Sequence, residues 1–251
     1  MEALTDYQWY YLLSFLVSVH FYLAVFSAWS TKDPLSALAR SRASSNVHAL
    51  ICVVAVTLWF LLYGAEANFT GDGPWILKGV VRQPVDHVFS VLIASSAGYF
   101  TADLLVMLSN KDAFDLLSVV HHVILIPSFF MGAVFRVTVT LQFLFLVEEL
   151  STVFLNARWF WRANKRVYEI TSLLFAVTFL LSRMIYGSAI YYLSIMSYVN
   201  HAEEVLTTDF EVGQYWVQLS LCSLSRVLNI YWSALIIGKL FSMKTKGKNR
   251  A

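Results

Sequence analysis

Long apolar runs separated by short polar connections recur along the chain. Seven of them reach the roughly 17 to 25 residues that a helix needs to cross a bilayer. They fall near residues 9–29, 47–65, 85–108, 117–135, 137–155, 167–195 and 215–241. The fourth and fifth are parted only by Arg136, which predicts a tight helical hairpin or a single bent re-entrant unit. Several runs carry polar residues at helical spacing. In the third, Ser96, Tyr99 and Asp103 share a face beside a small-residue stripe of Ser95, Gly98 and Ala102. In the fifth, Thr138, Gln142, Phe145, Glu149, Thr152 and Asn156 recur every three or four residues, and the seventh repeats the pattern with Gln218, Cys222, Ser225, Asn229 and Trp232. Faces like these do not suit lipid; they predict helices that turn toward one another or toward a cavity.

Composition strengthens the membrane reading. The 251 residues are 58% hydrophobic and 14% charged, where a soluble domain carries about 25% charged residues. The fold class expected is all-α: a polytopic membrane bundle of about seven transmembrane helices, forming one membrane domain over residues 1–251. A net charge of +2 brings no nucleic-acid partner into view. Cys52 and Cys222 fall within spans at different depths, so no disulfide is expected.

The basic residues orient the bundle. Alternate connections hold Lys32, Arg40 and Arg42; Lys111; Arg158, Arg162, Lys165 and Arg166; and Lys239, Lys244, Lys246, Lys248 and Arg250. The opposite side holds only Lys78, Arg82 and Arg136. By the positive-inside rule the N-terminus is luminal and the C-terminus cytosolic. The sequon at Asn68 then lies on the luminal side, where it is a glycosylation candidate. The N-terminal stretch lacks a basic n-region and reads as a retained span, not a cleaved signal peptide. Residues 242–251 read as a basic cytosolic tail, disordered or lying on anionic head groups.

Candidate chemistry centres on His121 and His122, adjacent inside an apolar run. Adjacent helical residues cannot share a face, so at least one is expected to point inward, with Ser118 or Asp115 available to orient it. Asp103 and Glu149 are the carboxylates best placed to join them, while Glu148 points about 100° away from Glu149 and is expected at the head-group boundary or separately paired. Arg183 needs a buried carboxylate or several carbonyls; it reads as a structural ion pair fixing helix register or as part of the site. Six histidines are too few for the histidine boxes of a membrane di-iron oxygenase, so no metal is expected. The acidic-Arg-Tyr triplet and the N-P-x-x-Y motif of seven-helix receptors are absent.

These features together resemble a known family. The pair "HH" opening a central span, "SSAGYFTADLLVML" before it, and "VEELSTVFLNARWF" and "SRVLNIYW" after it are similar to the TLC domain family, whose best-known members are the ceramide synthases. The resemblance covers about residues 46–241. It implies an endoplasmic reticulum membrane protein whose helices surround a central lipid tunnel, with His121 and His122 as the reactive centre, Asp103 as the acidic residue of the preceding span, and Glu149, Thr152 and Asn156 in an E-x-x-T-x-x-x-N stretch. Ser96, Tyr99, Gln142, Thr152, Asn156, Arg183 and Asn229 are then expected to line the tunnel. Val153 stands where relatives often have proline. Glu148 and Glu149 replace the "HD…D" segment of the ceramide synthases, and the homeodomain-like insert is missing. The resemblance thus carries the fold further than it carries ceramide synthesis itself. Its implied partners are membrane lipids, with acyl-CoA as a co-substrate and no bound cofactor. Two functions follow from different classes: lipid acyl transfer, with a histidine as general base or transient acyl acceptor, and lipid binding, sensing or cargo handling without chemistry.

Overall fold

The computed structural model describes residues 6–28, 37–63 and 83–248. Asn68 lies outside them, as do the basic residues Lys32, Lys78 and Arg82. Seven helices are long and apolar enough to span a membrane: α1 (Asp6–Ala28), α2 (Ala37–Tyr63), α3 (Gln83–Ser109), α4 (Leu116–Phe135), α5 (Val139–Phe160), α6 (Lys165–Val205) and α7 (Asp209–Lys248). The chain is a multi-pass membrane helical bundle.

Helix boundaries depart from the apolar runs where polar side chains find partners. α2 begins at Ala37, well before the apolar run at 47, because Ser41, Ser44 and His48 are buried against neighbouring helices. α7 continues to Lys248, so most of the basic tail extends a helix. The junction of α4 and α5 is a tight hairpin. Arg136 adopts a left-handed φ of 61° and caps α4 through its backbone N–H to the Gly132 carbonyl, and Thr138 is left-handed as well. Two irregular turns interrupt the later spans, a 3₁₀ turn at Leu146–Glu148 in α5 and a π turn at Leu180–Tyr186 in α6. Such wide or tight turns re-aim side chains within a helix and often sit at functional positions.

Helix contacts trace a closed circuit. α3 packs on α4, α4 on α7, α7 on the π turn of α6, α6 on α5, α5 on α2 and α2 on α3, while α1 lies outside against α3. Between helices in lipid, close approach of small residues does much of the work. At the α1–α3 contact a Cβ on Gly98 would stand 2.7 Å from the Ser18 Cβ, and the Ser18 hydroxyl donates to the Ser95 carbonyl at 2.6 Å. The small-residue stripe is therefore a packing surface. One end of the ring is plugged by aromatics: Phe89 stacks on Phe143 at 4.0 Å with Trp59 edge-on at 5.6 Å, all buried. Leu61, Leu62, Ile185, Val199 and Val227 point outward, as a lipid-facing surface requires.

Candidate functional site: a polar cavity inside the helical ring

A cavity of about 580 Å³ occupies the ring, and all six of its helices contribute to the wall. It runs from the α3–α4 connection at Asp112–Asp115, past Ser41, Arg42 and Ser45 of α2, to a closed end formed by His121, His122, Glu149, Arg183 and Trp232. Leu155, Phe175, Phe179, Leu235 and Ile236 make much of the remaining wall apolar. This mixture of an apolar barrel and a few convergent polar groups suits one amphipathic ligand.

α4 aims both histidines at this interior, but into different surroundings. Asp115 caps the helix, its carboxylate accepting from the Ser118 backbone N–H at 2.9 Å and the Ser118 hydroxyl at 2.6 Å. The Ser118 carbonyl, one turn before His122, then accepts from the ring Nδ1 of His122 at 2.6 Å. A carbonyl can only accept, so Nδ1 carries a proton. Nε2 of the same ring lies 3.2 Å from the Asp103 carboxylate, which also accepts from the Ser41 hydroxyl at 2.8 Å. Nδ1 of His122 is thereby engaged and Nε2 faces a carboxylate at ion-pair distance, and the orienting group is the Ser118 backbone, not the Asp115 carboxylate.

His121 is different. It is buried, its ring meets Trp232 edge-on at 5.4 Å, and its Nδ1 has no hydrogen-bond partner among the described residues. An unengaged imidazole nitrogen at the closed end of a cavity is free to take or give a proton.

Behind the closed end stands a four-charge network. The 3₁₀ turn brings Glu148 to Arg226, and the other Glu148 oxygen accepts from Asn229 Nδ2 at 3.1 Å and lies 3.8 Å from Arg183. Arg183, on the π turn, also donates to Ser151 at 3.0 Å, to Asn229 and Thr152 at 3.4 Å each, and approaches Glu149 at 3.6 Å. Arg226 returns a bond to the Arg183 carbonyl at 2.7 Å. Two carboxylates and two guanidinium groups balance, which is the condition for charge at this depth. Glu148 is thus paired with Arg226 at depth, not at the head-group boundary, and shares Arg183 with Glu149, leaving Asp103 to His122.

The expected site and lining residues divide into five places. Tyr99, Asp103, His121, His122, Glu149, Thr152 and Arg183 line the large cavity. Ser96 lies behind Tyr99, within 3.1 Å of His48 Nε2. Asn156 joins α5 to α2, donating to Ser45 at 3.1 Å and accepting from Arg42 at 3.3 Å. Asn229 is buried in the charge network, and Gln142 lines a separate, smaller cavity of about 40 Å³. Sequence reasoning passed over His48, which stacks on Tyr99 at 3.9 Å and touches Cys52 at 3.3 Å. It also passed over Ser41 and Ser45. The signal was present, since Ser41, Ser45, His48 and Cys52 share one helical face. Cys52 and Cys222 are both free thiols, and no metal-binding group of His, Cys, Asp and Glu occurs among the described residues.

At the open end Arg42, Arg158 and Arg162 surround a further cavity of about 330 Å³ with Trp159 and Tyr168, next to the large one and sharing Arg42 and Leu155 with it. The Arg162 guanidinium lies over the Trp159 ring at 3.9 Å.

No curated protein and no solved structure matches the chain. A family model described as the TLC domain matches residues 39–238, from the first turn of α2 to near the end of the membrane-spanning part of α7. That stretch contains the whole helical ring, the histidine pair and the charge network, and covers well over half of the chain: the protein belongs to the TLC domain family.

Proposed function

We propose that this protein is a lipid acyltransferase of the endoplasmic reticulum membrane, handling its acyl chain in the cavity within the helical ring. The observation that carries the reading is His121: an imidazole with an unengaged Nδ1 at the closed end of an apolar-walled cavity. The acyl group comes from acyl-CoA as co-substrate, and the Arg42–Arg158–Arg162 cluster at the open end suits its phosphates. A membrane lipid bearing an amine or hydroxyl is the acceptor. As its nitrogen or oxygen attacks the thioester carbon, His121 takes the proton, the C–S bond breaks, and the proton passes to the departing thiolate. Arg183 at the same end supplies a positive charge to the carbonyl oxygen as it becomes negative. His122, held by Asp103 and the Ser118 carbonyl, positions the helix turn that presents His121. On this reading the chain's sequence pattern is similar to that of the small TLC domain-containing protein 4 type.

The test is turnover by the purified protein in lipid nanodiscs, given palmitoyl-CoA and a panel of long-chain amines, alcohols and lysolipids, with products read by mass spectrometry. An acylated acceptor that disappears with His121→Gln supports the reading. Saturable lipid binding with no product from any acceptor overturns it in favour of lipid carriage or sensing.

A further inference from the structure

A second, smaller cavity lies on the far side of His121 from the open end of the large one. It measures about 40 Å³, room for about two or three water molecules. Phe100, His121, Glu149 and Arg183 belong to both walls, so the two compartments meet at the proposed reaction centre. Both cavities have largely apolar walls, but in the small one amides and hydroxyls gather at one place. Gln142 Nε2 donates to the Ser128 carbonyl at 2.7 Å and to Gln218 Oε1 at 2.7 Å, and the Ser128 hydroxyl donates to the same Gln218 oxygen at 3.0 Å. This arrangement uses one side of each glutamine and leaves the other. Gln142 Oε1, Gln218 Nε2, Thr138 Oγ1 and His121 Nδ1 are all buried without a hydrogen-bond partner, and all four residues line this one cavity.

Buried polar atoms are rarely left unmatched, because nothing in lipid or packed protein replaces the water they give up. Two acceptors, an amide donor and an imidazole nitrogen around a space of this size make a site that water satisfies and an acyl chain does not. The backbone is shaped for it. Gly132 leaves the space that the Gln142 amide fills, since a Cβ there would fall 2.6 Å from the Gln142 Cδ.

We propose that this compartment is a water-binding site that delivers water to the acyl group beside His121, giving the protein a second activity: hydrolysis of acyl thioesters when no lipid acceptor occupies the large cavity. The inference rests on the acyl-transfer reading. The water oxygen attacks the thioester carbon while His121 takes one water proton; the C–S bond breaks, and that proton passes to the thiolate, leaving a fatty acid and a free thiol. Gln142 and Gln218 are positioning residues: they hold water and stand outside the large cavity that takes the lipid.

The experiment measures partition between the two fates. Protein in phosphatidylcholine nanodiscs receives palmitoyl-CoA in [¹⁸O]water, with and without octadecylamine. The wild type is expected to release palmitate carrying one ¹⁸O, above the level of His121→Gln, with the amine suppressing the release. Replacing both glutamines by leucine is expected to lower hydrolysis about tenfold while changing transfer less than about twofold. If the double variant does not fold, Gln218→Met, which keeps the volume and loses the amide, gives the same readout. Equal losses of transfer and hydrolysis, or hydrolysis undiminished by the substitutions, would overturn the water site. Transfer without hydrolysis in the wild type would overturn it and leave the acyltransferase standing. Absence of both reactions would remove both proposals.

Discussion

At the scale of single residues, two neighbours of the same type hold different jobs because α4 turns them about 100° apart. His122 sits between a carbonyl and a carboxylate, while His121 faces the cavity with a free nitrogen. Substitution should separate them. His121→Gln is expected to lower product formation by about 10²–10⁴ and to change stability by about 1 kcal/mol or less. His122→Gln removes the imidazole paired with Asp103, whose side chain is 11% exposed and keeps the Ser41 hydroxyl as a donor, and breaking such a buried pair costs roughly 3–5 kcal/mol. Thermal unfolding in detergent, read beside turnover, checks both; equal destabilisation by the two variants would contradict the division of roles. The histidine pair was legible in the sequence because ionisable residues inside an apolar run are conspicuous. His48 was not, because it stands at the edge of its apolar run, and its partner face at Ser41 and Ser45 lies in a stretch that Arg40 and Arg42 made look like a loop. Only the pairing of Ser41 with Asp103 and of Ser45 and Arg42 with Asn156 makes that polar stretch helical and buried.

At the scale of helices, the irregular turns decide which charges meet. An unbroken α-helix would send Glu148 and Glu149 in directions about 100° apart, and the apolar pattern of α5 offered no reason to expect otherwise. The 3₁₀ turn delivers Glu148 to Arg226 and Asn229, and the π turn in α6 carries Arg183 between the two glutamates. Sequence reading could see that Arg183 needed an anion but could not choose it, since the choice depends on how α5, α6 and α7 cross. Gly187, just after the π turn, keeps this crossing close: a Cβ there would run into both the Glu148 carboxylate and the Arg226 guanidinium. Gly187→Ala is therefore expected to destabilise the fold by about 1–3 kcal/mol, the usual result of overpacking. Glu148→Gln should do more, roughly 3–5 kcal/mol, because two buried guanidinium groups lose their shared carboxylate. Glu148→Gln combined with Arg226→Met removes one charge of each sign and is expected to recover part of that loss. Denaturation of the three variants in one detergent decides the ranking, and a Gly187→Ala protein as stable as the wild type would mean that α6 and α7 do not hold this approach.

At the scale of the whole molecule, the seven spans and the ring they form give the two ends opposite characters. One end gathers Arg42, Arg158, Arg162 and Lys239 around the cavity openings. The other joins Gln8 to the Val134 carbonyl and Phe135 to Phe210, and carries the aromatic plug of Trp59, Phe89 and Phe143. Seven crossings put the two termini on opposite sides, and the positive-inside rule predicts that the basic end is cytosolic. Under the proposed function, that orientation is expected to open the cavity toward the side that supplies a charged, water-soluble acyl donor, with the plug on the opposite side. In intact microsomes a tag after Ala251 is expected to be digested by added protease and a tag before Met1 to be protected. Cysteines placed at Asp112 and Thr208, both exposed at opposite ends, give an independent reading. An impermeant thiol reagent should label Asp112→Cys before the membrane is permeabilised and Thr208→Cys only afterwards. The reverse pattern would put the Arg42–Arg158–Arg162 cluster in the lumen, and an acyl-CoA route through that opening could not operate.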